Sequence, residues 1–138
     1  MGKVNVVYAT KTKHSQKLAQ AIAKELNVEA VQIIEESNPE KTDLLFIIGG
    51  IYGGVCNPVL ISYANKLDKN LVDKVVLVTS SASDSGRCQK EIRNILQEKE
   101  IQLLDEITCP GGILFVRLGH PNKKEIQQVV DRAKQIIQ

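Results

Sequence analysis

The sequence has few aromatic residues, no excess of one charge and no long apolar run. Its 138 residues contain no tryptophan, three tyrosines and two phenylalanines. The 18 Lys and Arg residues stand against 16 Asp and Glu residues, so no strong field attracts nucleic acid. No stretch approaches the roughly 20 apolar residues of a membrane span, and Met1 leads into a strand-like run at Val4 rather than a signal peptide. These absences predict a cytoplasmic protein with no nucleic-acid partner and no membrane span.

Cysteines and histidines are too few and too dispersed for a disulfide framework or a metal centre. Cys56, Cys88 and Cys109 form no CxxC pair, and an odd number at wide spacing fits a reducing compartment. None has an arginine six positions downstream, which excludes the loop of the cysteine phosphatases. His14 and His120 lie far apart with no acidic cluster beside either. We therefore predict no metal site, and no residue stands out as a catalytic acid or base.

Hydrophobic periodicity alternates short β-branched runs with longer helical stretches. Strands are predicted at Val4–Tyr8, Glu29–Ile34, Asp43–Ile48, Lys74–Thr79 and Ile101–Thr108. Helices are predicted around Leu18–Leu26, from Pro58 to about Asn70, after a cap within Ser83–Ser85, and from near Asn122. This alternation predicts a single α/β domain over residues 1–138, with a doubly wound, five-stranded parallel sheet and helices on both faces.

In such sheets, ligands bind outside the carboxyl ends of the strands, near the point where the strand order reverses. The first segment there contains Thr10, Lys11, Thr12, Lys13, His14 and Ser15. Its hydroxyls precede a helix, whose free N–H groups favour an anion such as phosphate. The alternative is that Ser15 caps the helix and the rest is a solvated turn. Neither GxxxxGK[ST] nor GxGxxG is present, which argues against a P-loop or a dinucleotide fingerprint.

Two further segments follow the third and fourth predicted strands. The segment from Gly49 to Asn57 contains Gly50, Ile51, Tyr52, Gly53 and Gly54. Its glycines allow the backbone to approach a flat ligand on which Tyr52 stacks; the alternative is a turn with Tyr52 packed on its own domain. The other segment, from Thr79 to Gly86, contains Ser80, Ser81, Ala82 and Asp84, which offer polar groups to the edge of a heterocycle.

A response-regulator receiver domain has the same strand order, but it needs acidic residues at the end of strand one and an aspartate after strand three. Tyr8 and Gly49-Gly50 stand at those places, so a receiver domain is excluded.

Three stretches of the sequence resemble the flavodoxin family. YATKTKHSQKLA is similar to the flavodoxin phosphate loop, with Thr10, Thr12 and Ser15 at the hydroxyl positions and Lys13 in place of the usual glycine. DLLFIIGGIYGG and VVLVTSSASDSG are similar to the two loops that hold the flavin ring. The resemblance implies the strand order 2-1-3-4-5 and noncovalent FMN. Its phosphate would be held by Thr10 to Ser15 and its ring by Gly50 to Gly54 and Ser80 to Asp84.

The same resemblance implies electron transfer or a small flavin-dependent oxidoreductase. The partner would be a redox protein or a small-molecule electron acceptor. The alternative is a flavodoxin-fold module that has lost its flavin and serves as an interaction domain. Lys13 at the glycine position and the lack of an aromatic residue in the third segment favour that alternative.

Overall fold

The computed structural model describes residues 3–9, 13–52, 55–56, 58–81, 87–110 and 123–137. Within these ranges, the backbone alone is described at 13–15, 50–52, 55–56, 80–81, 87–88, 108–110, 123–126, 129 and 137. The strands are β1 (Val4–Ala9), β2 (Ala30–Gln32), β3 (Thr42–Tyr52), β4 (Val55–Cys56), β5 (Val72–Ser81) and β6 (Gln102–Pro110). The helices are α1 (Lys13–Leu26), α2 (Pro58–Lys66), α3 (Arg87–Glu98) and α4 (Lys123–Ile137).

Five of the strands form a parallel sheet in the order β2-β1-β3-β5-β6, and the short β4 pairs with the end of β3 in antiparallel orientation. Counting only the parallel strands, this is the order 2-1-3-4-5, so the predicted fold class is confirmed. The chain leaves β1 toward β2 and later returns to β3 on the other side. The order therefore reverses between β1 and β3, which is where a ligand crevice forms in such sheets.

The central strands are buried on both faces, as their near-continuous apolar sequence predicts. Leu45, Ile47, Val75 and Leu77 pack on one face with residues of α2 and α3. The alternate positions face α1 and α4; they are Phe46, Ile48, Val76 and Val78. The period of two along each strand thus divides the core into two layers.

Several predicted boundaries differ from the structure. The second helix ends at Lys66 rather than near Asn70, because Asp68 begins a turn: its carboxylate accepts from the Asn70 N–H at 2.7 Å and its carbonyl accepts from Leu71 at 2.8 Å. The second strand shortens to Ala30–Gln32. Shortly after each of helices α1 and α3 ends, one residue has a φ of 60°, Asn27 and Glu100 respectively, as in the left-handed cap that turns the chain back toward a strand.

Among the described residues, no helix combines the length and the apolar character needed to cross a membrane.

Candidate functional site

The carboxyl edge of the sheet is built from residues held in register across four strands. Ala9 of β1 pairs with Gly49 of β3, Gly49 pairs with Thr79 of β5, and Thr79 pairs with Thr108 of β6. Parallel pairing aligns the ends of these strands, so the predicted ligand-binding segments lie side by side. The aligned residues at this edge are alanine, glycine and threonine.

Strands β3 and β5 continue beyond the point where their apolar runs end. Gly50 pairs with Ser80, and Ile51 pairs with Ser81. The prediction that Gly50, Ile51, Ser80 and Ser81 lie in loops is therefore wrong, because inter-strand hydrogen bonding extends through them. The structure does bring these candidate residues of the two segments together, on adjacent strands. Ala82 and Asp84 lie outside the described residues.

Tyr52 belongs to an antiparallel hairpin rather than to a flexible loop. It pairs with Val55, and Ile51 pairs with Cys56. Only the two residues Gly53 and Gly54 separate the paired strands, and both lie outside the described residues. A Gly-Gly dipeptide between β-forming residues is a known hairpin signal, so the sequence carried the information that would have predicted β4.

The first predicted segment is divided between undescribed residues and a helix. Thr10, Lys11 and Thr12 lie outside the described residues. Helix α1 begins at Lys13, so Lys13, His14 and Ser15 form its first turn, and the prediction that they precede the helix is wrong. The first backbone N–H groups of a helix have no partner within it. These three residues therefore present N–H groups that have no partner within the helix, at its positive end and shortly after the carboxyl end of β1.

Gly49 allows helix α2 to approach the end of β3. A Cβ atom at this position would collide with the side chain of Leu60, whose Cγ would lie 3.0 Å away. Leu60 is buried, with 1% of its surface exposed, so it has little space into which to move. Here glycine is required for close packing of α2 against the sheet.

A buried polar pair lies beneath the same edge, where α3 covers β5. Nε2 of Gln89 donates to Oγ1 of Thr79 at 3.1 Å. Both residues are buried, and Oε1 of Gln89 has no hydrogen-bond partner in the described part of the chain. An unpaired buried acceptor costs roughly 1–3 kcal/mol, so this atom marks a place where a ligand or a change in the neighbouring chain would add a donor.

Gln89 was not predicted as a site residue, although the sequence contains a signal for it. Its position precedes Ile92 by three residues and Leu96 by seven, and both are buried core residues. Such spacing places Gln89 on the apolar face of α3. A polar residue on that face requires a buried partner, which the sequence alone does not identify.

The carboxyl edge fits a flat cofactor that carries a phosphate. The first turn of α1 offers N–H donors for the phosphate, the ends of β3 and β5 offer small residues beside a ring, and Gln89 offers an open acceptor. These features define an α/β protein whose strand order reverses between β1 and β3, at the edge where ligands bind in such sheets. The family model of the flavodoxin domain matches residues 5–136. The chain therefore belongs to the flavodoxin domain family.

Solved structures share this fold at low sequence identity. The flavodoxin of Streptococcus pneumoniae TIGR4 has a TM-score of 0.69 and 11% identity, over 97% of both chains. A flavoprotein in complex with FMN from Lactobacillus acidophilus NCFM has a TM-score of 0.62 and 11% identity, over 78% of this chain and 93% of that one. Rubredoxin oxygen:oxidoreductase of Desulfovibrio gigas has a TM-score of 0.66 and 12% identity, over 97% of this chain and 35% of that one. Among curated protein sequences, none matches the chain.

Proposed function

We propose that this protein binds FMN noncovalently at the carboxyl edge of its sheet and transfers electrons, as a carrier or as a small flavin-dependent oxidoreductase. The observation that carries the proposal is the position of α1, whose free N–H groups begin four residues after β1 ends, at the reversal of strand order. The membership in the flavodoxin domain family and the FMN complex of one structural relative support the same assignment.

The phosphate is assigned to the first turn of α1 and the segment before it. Backbone N–H groups of Lys13, His14 and Ser15 donate to an anion at this end of the helix. The cationic side chain of Lys13 and the hydroxyls of Thr12 and Ser15 add to that attraction. The proposal retains Thr10, Lys11 and Thr12 as binding residues, as their sequence pattern predicts.

The ring is assigned to the space beside the ends of β3 and β5. Gly50, Ile51 and Tyr52 lie on the β3 side, and Ser80 and Ser81 lie in register on the β5 side. Gly53, Gly54, Ala82 and Asp84 complete the two segments, as the sequence predicts. Bound FMN supplies the redox chemistry, while the protein positions it and adjusts its potential through hydrogen bonds. The electrons pass to a redox protein or to a small-molecule acceptor.

We also propose that residues 1–138 form a single domain and that the protein is cytoplasmic.

The test is a titration of the flavin-stripped protein with FMN, followed by flavin fluorescence. We expect saturable quenching with a dissociation constant below about 1 μM, or roughly −8 kcal/mol. Removing two hydroxyls with Thr12→Ala/Ser15→Ala should raise that constant by at least about tenfold, because hydrogen bonds to a charged group contribute about 1.5–3 kcal/mol each.

The matched control is Ser62→Ala, which removes a hydroxyl from α2 instead. It should leave FMN affinity unchanged. If the unmodified protein shows no saturable quenching at high FMN concentration, the flavin assignment is wrong, and the fold serves as an interaction module without a flavin.

A further inference from the structure

A cavity of about 200 Å³ lies against the edge strand β2. Val7 and Val31, paired across β1 and β2, contribute to its lining together with Ile33. Its remaining walls include Tyr63 of α2 and the carboxylates Glu29 and Glu40. The β1 residues that line it are Asn5, Val6 and Val7, which precede the carboxyl end of the strand at Ala9. The lining residues that the structure describes include none of those assigned to the flavin.

One wall of the cavity is fastened to α2 by three hydrogen bonds. Nζ of Lys66 donates to the carbonyl of Glu35 at 2.6 Å and to that of Ser37 at 2.8 Å. The hydroxyl of Ser62 donates to Oε1 of Glu35 at 2.6 Å. These contacts hold the segment between β2 and β3 beside the helix, so Ser37 and Glu40 line a formed cavity. A site that is already ordered loses less entropy when a ligand binds.

The charged groups in the lining are negative. Glu29 and Glu40 are the charged residues of the lining, and no Lys, Arg or His is among the lining residues that the structure describes. The nearest cation paired with either is Lys3, whose Nζ lies 3.6 Å from Oε2 of Glu40, and both of these side chains are largely exposed. An exposed pair of this kind contributes little, so a ligand cation inside the cavity can replace it. Lys66 is occupied by its two carbonyl contacts.

Tyr63 provides an observation independent of the charges. It is 5% exposed and lines the cavity, yet its hydroxyl forms no hydrogen bond with any residue in the described part of the chain. Burial and the charge of Glu40 raise the pKa of Tyr63 to about 12, so the hydroxyl stays protonated near neutral pH. Among the described residues, the only buried side-chain oxygen without a hydrogen bond is Oε1 of Gln89, so the Tyr63 hydroxyl is open to the cavity and can bond with a polar ligand group there.

We propose that this cavity is a second binding site, specific for a small organic cation with a compact apolar body. Glu29 and Glu40 attract the cationic group, and the hydroxyl of Tyr63 forms a hydrogen bond with it or with a polar atom beside it. Val7, Val31 and Ile33 contact the apolar body. An engineered apolar cavity of about 150 Å³ accommodates benzene, so a single six-membered ring with a short ammonium arm matches the size of this cavity.

The probe is benzylammonium chloride, titrated into the ¹⁵N-labelled protein at about 0.15 M salt, which screens non-specific attraction to surface carboxylates. Benzyl alcohol and benzoate are the matched neutral and anionic probes. We expect saturable shifts at the amides of Val7, Val31 and Tyr63, with a dissociation constant near 1 mM. Benzyl alcohol should bind at least about fivefold more weakly and benzoate not at all, because charge-assisted hydrogen bonds are about twice as strong as neutral ones.

Three variants test the assigned roles. Glu29→Gln and Glu40→Gln should each raise the dissociation constant of benzylammonium about two- to threefold, because each removes one exposed negative charge. Tyr63→Phe should raise it about threefold while leaving the melting temperature unchanged or higher, because the removed hydroxyl has no partner in the free protein. Glu98→Gln is the control, since it removes an exposed carboxylate from α3 and should have no effect.

Equal affinity for benzylammonium and benzyl alcohol would overturn the assignment to cations. The same holds if Glu98→Gln weakens binding as much as Glu40→Gln, because the attraction would then be a property of the surface. No saturation up to the solubility limit of the probe would overturn the site itself. FMN should not displace benzylammonium; displacement would show that the two ligands share one site.

Discussion

Two amide–threonine pairs lie at opposite ends of the sheet, and only one of them is complete. At the amino end of β3, Oγ1 of Thr42 accepts from Nδ2 of Asn5 at 2.6 Å and donates to the carbonyl of Glu40 at 2.9 Å. At the carboxyl end of β5, Thr79 accepts from Gln89, whose Oε1 has no partner. Both threonines are buried, at 3% and 1% exposed.

The difference separates a buried hydroxyl that is satisfied within the protein from a buried acceptor that is not. A buried polar group is stable when all its hydrogen bonds are formed, and the Thr42 hydroxyl meets that condition within the protein. The Gln89 acceptor does not, and it lies at the end of the sheet where ligands bind in this class of fold. The Thr42 hydroxyl at the amino end is thus satisfied by hydrogen bonds within the chain. The carboxyl end retains an acceptor without a partner among the described residues, Oε1 of Gln89.

The largest effect is expected at Gly49, where packing at the carboxyl end is tightest. Gly49→Ala should lower the free energy of unfolding by about 2–3 kcal/mol, because its new Cβ would collide with Leu60. Urea denaturation measures this change. Combining Gly49→Ala with Leu60→Ala removes the colliding atoms, so the double variant should lose less stability than the sum of the two single variants. Additive losses would show that the clash with Leu60 is not the reason why Gly49→Ala destabilises the fold.

The next effect is expected at Thr42, in the complete pair. Thr42→Val should lower the free energy of unfolding by about 2 kcal/mol, because Nδ2 of Asn5 loses its acceptor and the carbonyl of Glu40 loses its donor. Thr42→Ser retains the hydroxyl and should cost less. If Thr42→Val costs no more free energy of unfolding than Thr42→Ser, these two hydrogen bonds do not stabilise the fold.

The architecture was predictable because it follows from local sequence patterns. Apolar runs identified the five parallel strands, and the period of their burial matches the two-layer core. Pro58 marked the start of α2, where it is the first helical residue. The strand ends were predicted less well, because Gly50 and Ser80 interrupt the apolar runs while pairing across the sheet continues.

Contacts between distant residues were not predictable from sequence. The pair of Thr79 and Gln89 depends on how α3 packs over β5. The cavity beside β2 combines residues from β1, β2 and α2, which lie as far apart in sequence as Asn5 and Tyr63. The roles of Thr10 to Ser15 in binding FMN stay a prediction, as do those of the segments following β3 and β5.

The environment of the Tyr63 hydroxyl can be tested at alkaline pH. Its pKa rises from 10.0 to about 12 in the folded protein. Above pH 10 the unfolded chain therefore releases this proton first, so the contribution of Tyr63 to stability is full below pH 10 and is lost as the pH rises toward 12. We expect the free energy of unfolding to fall progressively across this window.

Tyr63→Phe isolates this contribution from that of the other groups that titrate at alkaline pH. Its free energy of unfolding should decline less steeply between pH 10 and 12 than that of the unmodified protein. Parallel curves for the two proteins would mean that the Tyr63 hydroxyl is solvated in the folded state.

The smallest effect on stability is expected at the incomplete pair. Replacing both members, with Gln89→Leu/Thr79→Val, should change the free energy of unfolding by no more than about 0.5 kcal/mol, because exchanging two buried partners for apolar groups of similar shape is nearly neutral. The same double variant should raise the dissociation constant of FMN about tenfold, since it removes the acceptor left open at the carboxyl end. A large loss of stability with unchanged FMN affinity would reverse the contrast, because Gln89 would then serve the fold as Asn5 does at the amino end.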